Sequence, residues 1–293
     1  MSDVYIEDPK RPWPRHSPLI PSPALHGPAL DRLTRAERRD QYRSITTGLV
    51  LPVDHPDDLR ARSLALSKLY PDGVLCGWSA VAVHGGQAPR DAAPEICVGP
   101  SMRRRAGVTI RRYPIPPDAV TVKADAAVTT PLWTVFDLAR FLQFEDAVIA
   151  VEFAHGHYLR LEDVPDMLPS LSGRWGAARA RRVFAAASMD SESPMETRLR
   201  LTLYDAGFTD LVPQVRLPEL RCRIDLADVA RKIAIEYDGD GHFDSPAQIR
   251  HDTERRNGLI AAGWTVIVVT KHLYYKNRNE LLRLVRQAYA TAR

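Results

Sequence analysis

Residues 233–244 read IAIEYDGDGHFD. Three apolar residues, Ile233-Ala234-Ile235, run into Glu236, Asp238, Asp240 and Asp244, with His242 among them. A strand fit for a core thus ends in carboxylates, which are costly to desolvate and repel one another when packed without a partner. Either the chain leaves the core and turns in water, or a cation sits there. Strand side chains alternate faces with period two. Lys232, Ala234, Glu236 and Asp238 therefore fall on one side, and Ile233, Ile235 and Tyr237 on the other. On the preceding strand, CRIDLADV (222–229), Arg223, Asp225 and Ala227 share a side, while Ile224 and Leu226 share the opposite one. A hairpin of these strands aligns Asp225, Glu236 and Asp238 on one acidic face, with small Ala227 and Ala234 leaving room beside them. Oxygen donors without cysteine suit a hard divalent cation: Mg²⁺ takes a few carboxylates, keeps several waters and accepts substrate phosphate. Asp225 and Glu236 are the expected metal ligands, for Mg²⁺ or for Mn²⁺ in its place.

Working outward, residues 190–293 carry the order helix, three strands, helix, strand, helix. The helices are expected at 194–207, 246–263 and 279–292, and the strands at 212–217, 222–229, 231–239 and 265–270. This is a mixed α/β domain. Ser193-Pro-Met-Glu196 opens it with the spacing of a capping box, and Glu196 can also approach the acidic face. A small, polar linker, Ser188 to Pro194, separates it from a second mixed α/β domain over 30–187. There the composition predicts helices at 30–44, 60–70, 78–85, from Pro131, and at 145–156, 161–170 and 175–187. Strands are expected at 48–53, 95–98, 107–113 and 127–130. Residues 1–29 hold seven prolines in their first 28 positions; they read either as an extended arm or as a segment packed on its own domain through Trp13 and Leu19.

The 293-residue chain is 45% hydrophobic and 26% charged, with a formal net charge of +4, an ordinary globular composition that leans toward an anionic partner. No apolar run approaches the roughly 20 residues that span a bilayer, and the polar, proline-rich start is not a signal peptide. Membrane association is not expected. Cys76, Cys97 and Cys222 are odd in number and far apart, which gives neither a disulfide framework nor a zinc site. A reducing, cytoplasmic setting follows.

The spacing Glu196, Asp225, Glu236-x-Asp238-Gly239, His242, Asp252-x-x-Arg255 and Gly263-Trp264 resembles the very-short-patch-repair-like endonucleases of the PD-(D/E)XK nuclease superfamily over about 100 residues. Upstream, LTRAERRDQYRSITTGLVLPVD, CGWSAVAVHG, VTTPLWTVFDLAR and SPMETRLR are similar to two-domain actinobacterial proteins whose first part is described as AbiEi-like, after antitoxins that regulate transcription; here the winged-helix start is shortened. The resemblance implies a restriction-endonuclease-like mixed sheet flanked by helices and a Mg²⁺-dependent endonuclease acting on duplex DNA. Asp225 and Glu236 would hold the metal. Asp238 stands where the superfamily usually has Lys, so His242 becomes the candidate base or water-orienter, with Lys232 as a weaker substitute. Arg255 would contact phosphate or brace an acid. One site per chain cuts one strand unless two chains act together, so a homodimer is an expected partner arrangement.

Two rivals stand beside this reading. A haloacid-dehalogenase-type phosphatase needs later acidic strand ends, and TVIVVTKH is basic where they should be. A DNA-binding regulator with a catalytically silent nuclease fold would use Arg174, Arg179, Arg181 and Arg182, or Arg103-Arg104-Arg105, on the phosphate backbone.

Overall fold

The computed structural model describes residues 16–100, 105–238 and 246–292. Trp13, Arg103, Arg104, Gly239, Asp240, His242 and Asp244 lie outside them, as does the side chain of Asp252. The chain is a mixed α/β protein that divides between Ala187 and Ser188 into two compact units.

The first unit runs β1 (Leu25–His26), α1 (Gly27–Asp31), α2 (Arg35–Gln41), β2 (Tyr42–Thr46), β3 (Leu49–Pro52), α3 (Leu59–Leu69), β4 (Val74–Leu75) and α4 (Gly77–His84). It continues with β5 (Glu95–Cys97), β6 (Thr109–Arg111), β7 (Val120–Lys123), β8 (Ala126–Thr129), α5 (Pro131–Phe141), α6 (Phe144–Ala154), α7 (Val164–Met167) and α8 (Ala177–Ala186). A small antiparallel sheet, β1-β3-β2, and a mixed sheet, β6-β5-β4-β8-β7, enclose Leu49, Leu51, Leu64, Leu66, Leu75, Ile96 and Val128. The expected helix 30–44 is not continuous. Its capping box forms as Thr34 and Glu37 predict, but the helix stops at Gln41, because Tyr42–Thr46 gains a β ladder against β3. The expected helix 161–170 breaks into short turns around Pro165 and Pro169, whose rings remove backbone donors. The described part of the proline-rich stretch packs on this unit: Leu25 and His26 pair with β3, and Arg60 Nη1 donates to the Ser17 carbonyl at 2.8 Å.

Behind α4 lies a buried polar knot. Glu95 accepts from both Arg111 Nε (3.0 Å) and Nη2 (2.8 Å), and also caps α4 through the Trp78 N–H at 3.2 Å. Gly77, at φ +51°, makes the close approach work; a Cβ there would meet the Glu95 carboxylate at 2.8 Å. Asp137 accepts from Arg140 Nε and Nη2 at 3.0 and 2.7 Å and from the Tyr113 hydroxyl. The Arg140 guanidinium in turn lies over Tyr113, Phe136 and Phe141 at 4.6–4.8 Å from each ring centre.

The second unit has α9 (Pro194–Asp205), β9 (Val212–Leu217), β10 (Cys222–Asp228), β11 (Ile233–Asp238), α10 (Pro246–Ala261), β12 (Thr265–Thr270), α11 (Lys271–Lys276) and α12 (Arg278–Thr291). The sheet order is β12-β11-β10-β9, parallel between β11 and β12 and antiparallel elsewhere. Leu226, Ile233, Ile235, Ile267 and Val269 pack with Met195, Leu199, Leu203, Tyr274, Leu281 and Val285 of α9, α11 and α12. Ala227 and Ala234 pack on the other face with Leu259 and Trp264. Three layers result, with α10 on the side of Ala227 and Ala234.

The alternation expected along β10 fails at one point. Ile224 and its partner Val215 join the α10-side core, whereas Leu226 joins the opposite one. Between Val215 and Pro213 stands Gln214 at φ +54°. A left-handed residue inside a strand breaks the two-residue period, and β10 changes face beside it, at Asp225.

Candidate functional site

The β10–β11 ladder runs Asp228↔Ile233, Ala227↔Ala234 and Leu226↔Ile235. One further step sets Asp225 opposite Glu236. At that step the side chain replaces the main chain: Asp225 Oδ2 accepts the Tyr237 N–H at 2.9 Å. Beyond it, among the described residues, Cys222–Ile224 pair with β9 and not β11, and Arg255 Nη1 reaches the Arg223 carbonyl at 3.5 Å. The sheet opens here, and the acids gather around the opening.

The acids arrive from three elements: Glu236 and Asp238 from β11, Asp225 from β10 and Glu196 from α9. Glu236, 3% exposed, faces α10, where Arg255 donates to both its oxygens, the Nη2–Oε2 contact at 3.1 Å. The next residue, Arg256, donates through Nη2 to Asp238 Oδ2 at 2.9 Å. Glu196 comes from the first turn of α9. Ser193 caps that turn by accepting the Glu196 N–H at 3.2 Å, but the Glu196 carboxylate does not close the box on Ser193. It accepts the Glu192 N–H at 3.1 Å and Gln214 Nε2 at 2.7 Å. Gln214 was not singled out from the sequence; the same kink that flips β10 aims its amide at Glu196. Arg256 was missed as well, although its place beside Arg255 on α10 was the available signal.

Electrostatics rank these groups. Burial raises the pKa of Glu196, and the nearby Asp225 charge raises it further. Asp225 is raised by burial against the opposing pull of the Tyr237 N–H and Arg255. Glu236 is also raised by burial, opposed first by Arg255 and helped by Asp225. Glu196 and Glu236 each feel the charge of Asp225, as neighbouring like charges do. Arg255 acts here as the brace of an acid.

Lys232 is elsewhere. At φ +50° it sits in the turn before β11, and its ammonium donates to the Ala262 carbonyl at 2.9 Å. It belongs to the far end of the strand, so it does not substitute for the missing lysine. Among the described residues, no group of three or more His, Cys, Asp and Glu has metal-site geometry. The narrower set still fits Mg²⁺, which needs only one or two carboxylates besides water and substrate phosphate. Its donors are oxygens, and a cation would offset the Asp225 charge that raises Glu196.

No protein-family model matches the chain. It is similar to the uncharacterized proteins MT2308 of Mycobacterium tuberculosis strain CDC 1551 / Oshkosh and Rv2248 of strain H37Rv. Each is 25% identical over 221 residues, covering 72% of this chain and 80% of the relative. Among the described residues no helix is long and apolar enough to cross a membrane.

Proposed function

We propose that the second unit is a Mg²⁺-dependent endonuclease acting on DNA, and that the first unit supplies DNA or partner recognition. The observation that carries this is the opening of the sheet where Asp225 stands opposite Glu236. Asp225 and Glu236 would hold the metal, which supplies a water of lowered pKa and neutralises charge on the phosphodiester. Glu196, positioned by Gln214, stays beside Asp225 as a hydrogen-bonding or water-holding group. Arg255 steadies Glu236 and can share its fork with a phosphate oxygen, since guanidinium suits both anions. His242, four residues past Asp238, is the base or water-orienter in this reading. Purified protein should nick supercoiled plasmid with Mg²⁺ or Mn²⁺. Asp225→Ala and Glu236→Ala should reduce nicking to background; equal cutting by either variant would refute the assignment.

One observation favours a second reading. Glu236 already shares both oxygens with Arg255, which suits a silent nuclease fold that binds DNA as a regulator. Tight duplex binding in EDTA, sequence-selective and without turnover when Mg²⁺ is added, would support it.

A further inference from the structure

Trp175 is 71% exposed, although its backbone is firmly held. Arg140, buried in the polar knot, donates Nη1 to the Trp175 carbonyl at 3.1 Å. Gly176 follows at φ +83°, where a Cβ would stand 2.8 Å from Arg140 Cβ. The turn is therefore built for a residue without a side chain at 176, and it presents the indole outward. The ring lies 5.7 Å from Phe141, at 37° to its plane, and the Arg140 guanidinium stands 5.9 Å from its centre; most of the residue still faces solvent. A large aromatic left in water by an anchored turn marks a contact surface.

The surrounding charge names the partner. Between Asp166 and Asp190 the sequence carries Arg174, Arg179, Arg181 and Arg182 and no acidic residue. All four arginines are exposed. Arg179 donates to the Leu142 carbonyl and Arg181 to Ser172 Oγ at 3.2 Å, while Arg174 and Arg182 lie over the rings of Trp133 and Phe144. Each of these contacts is to a neutral group, so they leave the arginines' positive charge in place; Glu145 and Asp146 follow Phe144 on α6. On α8, Ala177, Ala180 and Val183 are buried and the arginines occupy the other face. A protein partner would need a matching acidic surface with a slot for indole. A polynucleotide with unpaired bases needs neither: phosphates meet the arginines and a base stacks on the indole, the combination that single-strand binders use.

We infer that the Trp175 turn and α8 form a binding surface for single-stranded polynucleotide, with Trp175 as its base-stacking platform. The inference deepens the reading that the protein acts on DNA, by assigning the first unit an unpaired strand rather than intact duplex.

Full-length protein in EDTA tests it without turnover. The probe is a fluorescein-labelled oligothymidylate of about 20 nucleotides, longer than a single-domain site, with a duplex of equal length and heparin as comparison ligands. Trp175→Ala should weaken oligothymidylate binding about 5- to 100-fold, the scale of one base–aromatic stack, while leaving heparin unchanged. Trp175→Phe should retain most of the affinity. Arg179→Glu with Arg181→Glu should weaken oligothymidylate and heparin alike and flatten the salt dependence. Wild-type affinity in Trp175→Ala, or duplex bound more tightly than oligothymidylate, would overturn the proposal. Binding is read in EDTA, where no turnover occurs, so a failed nicking assay and a failed stacking surface give different results.

Discussion

Glu95 and Asp137 in the first unit are each matched by a two-pronged arginine, whereas in the second Glu196 accepts from the Glu192 N–H and the Gln214 amide and Asp225 from the Tyr237 N–H, all neutral donors. Both arrangements bury acid, and burial lifts carboxyls in both, Asp137 to about 6 despite Arg140, but in the first an arginine fork closes on each acid. Glu95 caps a helix and Asp137 anchors Arg140 inside an aromatic cage, so those charges are spent on holding the unit together. The second arrangement leaves a repulsion that burial amplifies. A fold gains nothing from such a repulsion unless a cation or a proton relieves it, which distinguishes a structural ion cluster from a candidate site.

The largest effect should come from breaking the satisfied cluster. Arg140 and Asp137 have side chains only 4% and 1% exposed. Arg140→Met leaves Asp137 buried without its guanidinium partner, which should cost about 3–5 kcal/mol, read as a lowered denaturation midpoint of the first unit. Gly77→Ala comes next. It places a methyl against the Glu95 carboxylate at a positive φ and should cost about 1–3 kcal/mol, measured the same way.

Breaking the strained cluster should have the opposite sign. Asp225→Asn keeps an oxygen for the Tyr237 N–H and removes the charge, so it should stabilise the protein at pH 7 by about 0.5–2 kcal/mol, the usual gain when a functional site is relaxed. Because the carboxyl has a raised pKa in the fold, its ionisation disfavours folding. The penalty is absent in acid, where the group is protonated both folded and unfolded, and it grows as pH rises through the unfolded and then the folded pKa. The melting difference between variant and wild type should therefore close in acid and widen toward neutrality. A variant less stable than wild type at neutral pH would mean that Asp225 is a satisfied group like Asp137.

Smaller again is the effect of changing Gln214. Gln214→Ala releases the Glu196 carboxylate without removing it, so metal-dependent nicking should fall by about 10- to 100-fold, as for outer groups that orient metal-site residues. Unchanged nicking would take Glu196 out of the site.

Much of the second unit could be read from periodicity. The strand segments, the β10–β11 hairpin and the core face of Ile233 and Ile235 follow from two-residue alternation, whereas Ile224, expected beside Leu226, packs on the other face. The reversal at Gln214 does not follow from it, because nothing in VPQVRL marks its glutamine for a left-handed conformation; tertiary packing imposes it. Arg255 and Arg256 carried a signal in their spacing from Glu236, but which arginine meets which acid depends on how α10 lies on the sheet. In the first unit, Tyr42–Thr46 looked helical because it continues a charged, helix-forming run, and only the ladder to β3 overrides that preference. Short strands such as Val74–Leu75 and Val120–Lys123 carry too few residues for a periodic signal. The Glu95–Arg111 and Asp137–Arg140 knot joins distant segments, so no local pattern announces it.

Mn²⁺ titration calorimetry on wild type and on Asp225→Asn addresses the β10–β11 opening most directly. One ion per wild-type chain, with affinity lowered at least about tenfold by the substitution, is the expected result. Equal uptake by the two proteins, or uptake by neither, would contradict a divalent-cation site at Asp225 and Glu236.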